Sequence, residues 1–496
     1  MKAQVLLPKI FNFPFTYNCD QNSLKPGDFV EVPFGSKREI GVVWPGKIST
    51  LKDIKIKNIN KKIKKFSINK KFINFLDWFA LYNMMPLGLV LKMSIGSNQN
   101  LIEKDEREFT QIEKQKKIFT LNKEQKKALN FLNSNNNKFE VSVLQGTTGS
   151  GKTLVYFERI KKILKEKKQA LVLLPEIFLT NEFKSRFIDF FGFEPAIWHS
   201  KITPKNKRII WNGIINNNIK LVIGARSSLL LPFKKLGVII VDEEHDTSYK
   251  QDEGVSYNAR DMAIARASLE NIPIILVTSI PSIETYNNII TKKYYVTKLE
   301  KRYKEALLPK FEIINLNSEI IKKGSWIANK TIDKVNKYLE RGDQILFFLN
   351  RRGFAPFVIC KKCLVKFQCP NCELSLNYHK KTNKLLCHYC GHKSSLTRRC
   401  KDNLMCDLLF CGPGVERIYL ELKKLYPNKN IKIFSSDTLK KKELTNNLLK
   451  QVEEKKIDIL VGTQLLSKGF HFPRLNCIVV VDGNFSSHGY DLRSAE

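Results

Sequence analysis

One stretch constrains the fold more than any other: Val143-Leu-Gln-Gly-Thr-Thr-Gly-Ser-Gly-Lys-Thr153. It holds Gly146, four residues, then Gly151-Lys152-Thr153, the G-x-x-x-x-G-K-[ST] phosphate loop. Before it, Phe139-Glu-Val-Ser-Val-Leu144 alternates like a strand. After it, residues 154–168 are apolar at helical spacing. A strand–loop–helix of this kind turns backbone N–H groups inward at a helix N-terminus and cradles a polyphosphate. Gly146, Thr147, Thr148, Gly149, Ser150 and Gly151 are expected to line the cradle, Lys152 to reach the outer phosphates of ATP, and Thr153 to hold Mg²⁺. Upstream, Leu121-Asn-Lys-Glu-Gln125 offers Gln125 to the adenine.

A second stretch completes the chemistry. Leu236-Gly-Val-Ile-Ile-Val241 is an apolar, β-branched run, as expected of a buried parallel strand. It delivers Asp242-Glu243-Glu244-His245 at its C-terminal end, where α/β sheets bind ligands. Asp242 is expected to complete the Mg²⁺ shell and Glu243 to deprotonate the attacking water, with His245 closing the catalytic box. Strand-like runs at 139–144, 170–174, 220–224, 237–241 and 273–277 make residues 119–300 a doubly wound α/β domain. A second α/β unit begins within 301–359, with a strand at 344–349. It resumes over 412–496 with strands at 430–434, 458–462 and 477–481.

Between those parts lie nine of the eleven cysteines. Cys369-x₂-Cys372 and Cys387-x₂-Cys390 have the spacing of a complete Cys₄ zinc site. Cys360, Cys363 and Cys400 belong to a second Zn²⁺ site, where Asn403 stands at the expected fourth place; Cys406 is the nearest substitute, with Cys411 and His392 as further options. His379, His388 and His392 read as ordinary surface histidines. Residues 360–411 are thus a zinc module inserted in the second unit. Clustered cysteines without an export signal favour metal over disulfides, and a cytoplasmic location is expected. No run of 18 apolar residues suggests a membrane span.

Residues 1–100 form a small β-rich domain, with strands at 28–34 and 39–44, a basic segment at 54–65 and a helix over 73–91. Residues 101–118 are a charged linker. The formal charge of +36 attracts polyanions and makes nucleic acid the first partner to consider. Part of that charge reflects a chain rich in Lys, Asn and Ile throughout.

Taken together, the motifs resemble the PriA family of superfamily 2 DNA helicases. The resemblance rests on the phosphate loop, Leu171–Thr180, Val222-Ile-Gly-Ala-Arg-Ser-Ser-Leu229, Asp242-Glu-Glu-His-Asp246, Ser248-Tyr-Lys-Gln251 and Tyr257-Asn-Ala-Arg-Asp261. It continues through Asn350-Arg-Arg-Gly-Phe354, the cysteine ladder and Val461–Gly469. It implies two RecA-like lobes and 3′→5′ unwinding driven by ATP. Replication would restart at stalled forks through primosome assembly. Forked and single-stranded DNA, primosome proteins and single-stranded DNA-binding protein are the implied partners, and the chain is expected to be a monomer. Thr180 and Arg226 fall where the family contacts the DNA backbone. Tyr249 and Lys250 lie in its aromatic-rich loop, which couples DNA to the ATP site. Phe15, Gly35 and Lys57 match its pocket for a 3′ end.

Four departures accompany the resemblance. Thr16 stands where the family has an Asp. No winged-helix domain follows the first unit. Thr278-Ser279-Ile280 replaces S-A-T. The sequence ends at Glu496, before the family's helix bearing an arginine finger. From the last departure the expectation is slow hydrolysis and weak or no unwinding, with a fork-binding remnant as the alternative to an active helicase.

Overall fold

A computed structural model describes the chain except residues 20–23, 47–55, 97–116, 135–137, 176–180, 252–253, 303–308, 317, 320–324, 350–356, 361–362, 364, 381, 397–407, 435–441, 464–471, 473 and 482–496. The chain divides into two compact units, Met1–Leu308 and Pro309–Glu496.

The first unit opens with an antiparallel sheet. Its strands are β1 (Lys2–Leu6), β2 (Phe15–Asn18), β3 (Asp28–Phe34), β4 (Lys37–Val43) and β5 (Lys61–Ser67), in the order β2-β1-β4-β3-β5. β5 lies in the lysine-rich segment, where the charges conceal Ile63 and Phe66 that face the core. The expected helix over 73–91 is two helices, α1 (Lys70–Tyr82) and α2 (Leu87–Ile95). Pro86 forces the break, because it cannot donate within a helix and the residue before it avoids the helical region.

The rest of this unit is a parallel sheet of seven described strands in the order β14-β6-β13-β10-β7-β9-β8. In chain order these are β6 (Val141–Gly146), β7 (Gln169–Leu173), β8 (Ala196–Trp198), β9 (Leu221–Gly224), β10 (Leu236–Asp242), β13 (Ile274–Thr278) and β14 (Tyr295–Leu299). The short pair β11 (Lys250–Gln251) and β12 (Tyr257–Asn258) lies between β10 and β13 in the chain. Every residue of β10 is buried, as its unbroken apolar run requires when helices cover both faces. The flanking helices include α3 (Lys123–Ser134), α4 (Lys152–Lys165), α5 (Asn181–Phe191), α6 (Pro204–Ile215) and α7 (Ala259–Glu270). Arg266 of α7 is fully buried. It bonds Glu270 at 2.7 Å and lies 4.5 Å from the Phe72 ring centre of α1, so the two parts of this unit share one core.

In the second unit, β15 (Gln344–Phe348), β21 (Ile431–Phe434), β22 (Ile459–Gly462) and β23 (Leu475–Val480) form a parallel sheet ordered β21-β22-β15-β23. Between β15 and β21 the chain makes β16 (Phe357–Cys360), paired antiparallel with β20 (Leu408–Cys411). Inside that pair sits a three-stranded sheet of β17 (Asn377–His379), β18 (Lys384–Leu386) and β19 (Lys393–Ser395). The cysteine-rich module is therefore an insertion in an α/β lobe.

Both parallel sheets use one device. Gln169, the first residue of β7, donates its amide to the carbonyls of Ile214 at 3.0 Å and Ile219 at 2.7 Å. Gln344, the first residue of β15, does the same for Val452 and Ile457, at 2.9 Å each. In each case one buried amide bonds two carbonyls, one at a helix C-terminus and one just beyond it, and so ties the first residue of the strand to that helix end.

Candidate nucleotide, metal and DNA sites

β6 and β10 are separated in the sheet only by β13, so three strand ends converge. The loop after β6 needs its glycines. Gly149 and Gly151 both have φ of 84°, and a Cβ on Gly146 would lie 2.6 Å from Ser150 Oγ. The Ser150 hydroxyl is buried without a protein partner. Gly151 caps the N-terminus of α4, whose first residue is Lys152. The Lys152 ammonium donates to the loop's own carbonyls, Gly146 at 2.7 Å and Thr147 at 3.4 Å. Burial presses its pKa down, and the charges of Glu243 and Asp242 push the other way. A polyphosphate would replace two neutral acceptors with charged ones, so this set of donors suits it.

Gln125 lies against the same loop. Its amide Nε2 donates to the Ser150 carbonyl at 2.9 Å, and its Oε1 accepts from Asn122 N at 3.0 Å.

Asp242 ends β10. Its Oδ2 accepts from the Tyr156 hydroxyl of α4 at 2.8 Å, and its Oδ1 from Glu243 N at 3.0 Å. Burial first, then the Glu243 charge, push its carboxyl up to about 6. A dry carboxyl near Lys152 suits a divalent cation, which would favour the charged form. Glu243 sits in the left-handed region at φ 48°, a conformation uncommon for a non-glycine and costly enough to persist mainly where the surroundings hold it. Its carboxyl is also raised, by burial ahead of the opposing Lys152 charge. Its Oε2 lies 3.8 Å from His245 Nδ1.

His245 Nδ1 lies 2.8 Å from Thr278 Oγ1, and that hydroxyl donates to the Ile280 carbonyl at 2.6 Å. Thr278 therefore accepts from His245, which places the imidazole proton on Nδ1. The Thr-Ser-Ile replacement keeps a hydroxyl at this contact. Glu244, which the sequence reading left without a role, is buried. It accepts from Arg260 at 3.2 Å, the Ser282 backbone at 2.8 Å and Thr285 at 2.9 Å, so it locks the box onto α7 and the start of the next helix.

Of the DNA-directed residues, Thr180 lies outside the described residues. Arg226 donates to the Lys250 carbonyl at 2.7 Å, and Lys250 is exposed. Tyr249 is corrected. Its side chain is 1% exposed, with its hydroxyl 2.6 Å from the Asp242 carbonyl and 3.0 Å from that of Leu173. A ring so placed has no surface to offer a strand; it braces β10 from behind.

In the N-terminal sheet, Phe15, Gly35 and Lys57 do converge. Lys57 Nζ donates to the Gly35 carbonyl at 3.3 Å, Gly35 takes φ of 62° in the β3–β4 turn, and the Phe15 ring lies 5.4 Å from Phe34. Phe11 and Phe13, 5.0 and 5.2 Å from Phe15, extend this aromatic cluster. Thr16 accepts from Gln4 at 3.1 Å.

The metal centre is made by two matching turns. Cys369 N bonds Leu374 O and Glu373 N bonds Cys369 O. Cys387 N bonds His392 O and Gly391 N bonds Cys387 O. Glu373 and Gly391 both have positive φ, at 59° and 78°. The sulfurs of Cys369, Cys372, Cys387 and Cys390 all lie within 4.8 Å of one another, with separations of 3.4, 3.4 and 3.8 Å in three pairs. A tetrahedral Zn²⁺ with bonds of about 2.3 Å needs sulfurs about 3.8 Å apart, so the four fit. Burial opposes ionisation of Cys387, but the backbone N–H groups of Cys390 and Tyr389, with the Cys372 and Cys390 side chains, hold it down to about 7.

Cys360 is buried and Cys363 half-buried. Cys400 and Cys406 lie outside the described residues. Two of the histidines are not ordinary surface residues. His379 Nε2 lies 3.0 Å from His388 Nε2, and His379 Nδ1 lies 3.7 Å from Glu416 Oε1, which ties the zinc hairpin to the helix Val415–Leu425.

Four family descriptions match the chain. Residues 4–96 match the "3'DNA-binding domain (3'BD)" of PriA, 118–298 the "Type III restriction enzyme, res subunit", 369–394 the "PriA DNA helicase Cys-rich region (CRR) domain", and 403–495 the "Helicase conserved C-terminal domain". The chain is 41% identical to the Replication restart protein PriA of Rickettsia conorii over 501 residues, spanning 100% of this chain and 76% of that protein. The PriA of Bacillus subtilis is 36% identical over 361 residues, 73% of this chain and 45% of that protein. A DNA-binding sheet, two helicase lobes and a zinc ribbon in one chain, with identity at this level along its whole length, place it in the PriA family of replication-restart helicases.

Proposed function

We propose that this chain is an ATP-driven DNA translocase that moves 3′→5′, recognises stalled or abandoned forks and restarts replication by assembling a primosome. What carries the reading is the convergence of Lys152, Thr153, Asp242, Glu243 and His245 on three adjacent strand ends. The N-terminal sheet (1–100) takes the 3′ end of a nascent strand. A linker (101–118) leads to the ATP-binding lobe (119–300). The second lobe (301–359 and 412–496) carries the zinc module (360–411).

Within that reading each group has a task. Lys152 leaves the Gly146 and Thr147 carbonyls and turns onto the outer phosphates. Gln125 meets the adenine while its amide senses the loop at Ser150. Thr153 and Asp242 would hold Mg²⁺, which would neutralise phosphate charge when bound. Glu243 takes the proton of the attacking water, and its raised carboxyl makes it a better proton acceptor than an exposed glutamate. His245 keeps Glu243 in register with Thr278. Arg226 and Lys250 face the strand, and Tyr249 passes a shift of that loop to the Asp242 backbone.

Zn²⁺ at the four-cysteine centre holds the ribbon together. A second Zn²⁺ at Cys360, Cys363, Cys400 and Cys406 is part of the same reading. The chain acts as a monomer on forked and single-stranded DNA, with primosome proteins and single-stranded DNA-binding protein as partners. Among the described residues no helix is long and apolar enough to cross a membrane.

The test is strand separation on partial duplexes with either a 3′ or a 5′ single-stranded flank. Unwinding confined to translocation from 3′ to 5′, and lost without ATP, is expected. Unwinding from the opposite flank would refute the polarity.

A further inference from the structure

We infer that Tyr156, a residue with no assigned role, is the positioning residue that orients Asp242, the carboxylate meant for the divalent cation. The inference rests on the phosphate-loop reading and deepens it. Tyr156 lies on α4, one helical turn after Thr153, which brings the two onto one face. It is fully buried, and its hydroxyl donates to Asp242 Oδ2 at 2.8 Å. One phenol of the phosphate-loop helix therefore touches the carboxylate that ends β10.

The direction of this bond suits a metal site, because Tyr156 donates its own proton to Asp242 Oδ2 and favours the charged carboxylate that a cation needs. The other carboxylate oxygen, Oδ1, is held by Glu243 N. The carboxylate plane is thus fixed from both ends. Phe157 packs edge-on at 5.2 Å, so the ring cannot swing away. Groups that orient ligands from behind in this way typically affect metal affinity by about 10–100-fold.

The test is Tyr156→Phe, which keeps the ring and its packing. Affinity for a fluorescent ATP analogue is measured in the full chain, without metal and across a Mg²⁺ titration. Expected is unchanged metal-free affinity, with the Mg²⁺ concentration needed for half of the metal-dependent gain rising about 10-fold or more. A titration superimposable on wild type would overturn the inference and leave Tyr156 as a packing residue. Equal loss of affinity with and without Mg²⁺ would also overturn it, since that is the signature of a damaged lobe. Lys152→Ala, measured alongside, separates the two levels. If it leaves affinity unchanged, the phosphate-loop reading itself has failed. If it abolishes binding while Tyr156→Phe has no effect, only the inference has.

Discussion

Asp242→Asn should stabilise the first unit at neutral and alkaline pH while removing its metal-dependent chemistry. Asp242 is buried at the end of β10. Desolvation, then the neighbouring Glu243 charge, push its carboxyl from the ordinary 3.8 up to about 6. The folded protein therefore binds this proton more tightly than the unfolded chain does. Its stabilising contribution is complete below pH about 4 and is lost as pH rises through about 6. A gap of about two units, at about 1.36 kcal/mol each, makes the penalty about 3 kcal/mol at pH 8. Asn carries no charge and keeps an oxygen for Tyr156 or Glu243 N, although one of those bonds is lost at a cost of about 1 kcal/mol. The variant should then be about 2 kcal/mol more stable at pH 8, with the advantage shrinking toward pH 5. Urea unfolding of the metal-free and nucleotide-free protein at both pH values, followed by tryptophan fluorescence, reads this. Four of the five tryptophans lie in the first unit. Adding Mg²⁺ to the nucleotide-bound protein should further stabilise the wild type and leave the variant unmoved. A variant less stable at pH 8, or an advantage that does not change with pH, would refute the reasoning.

Other outcomes follow from the same geometry. Lys152→Ala should abolish nucleotide binding or reduce it at least 10-fold, read by the fluorescent-analogue titration, since it removes the one charge the loop directs at phosphate. Cys387→Ser should lower the zinc content of metal-replete protein by one ion per chain, measured by elemental analysis; an unchanged content would dissociate that ion from the four-cysteine centre. Arg266→Ala should cost about 3–5 kcal/mol in unfolding free energy, because it leaves Glu270 charged and buried. Affinity for forked DNA should fall steeply and linearly on a log–log salt plot. Phe15→Ala or Lys57→Ala should weaken forks ending in a 3′-hydroxyl more than blunt duplex, read by fluorescence anisotropy.

What the sequence revealed was contiguous. The phosphate loop, the Asp242–His245 box and the paired C-x₂-C turns each place their chemistry within a few residues of one another. Buried central strands such as β10 are apolar throughout, so they stand out. Elements that escaped are short or lie at sheet edges. β8 has three residues, and β14, at the rim of its sheet, has one buried residue, Leu299. β5 was hidden because lysines outnumber the two residues that face inward. Contacts made only in three dimensions had no local mark at all. Nothing in the sequence brings Tyr156 to Asp242, 86 residues away, or Glu244 to Thr285, 41 away. Tyr249 was placed toward DNA by the resemblance of Ser248-Tyr-Lys-Gln251 to an aromatic-rich loop, but its ring is buried in the core.

The most direct measurement is a single-turnover comparison of wild type with Glu243→Gln, with ATP bound in the presence of Mg²⁺ and forked DNA. Glu243 is assigned to the proton of the attacking water and makes no contact needed to bind nucleotide. The variant should hold ATP with wild-type affinity and hydrolyse it about 10²–10⁴-fold more slowly. Equal rates in the two proteins would contradict the assignment of catalysis to this box.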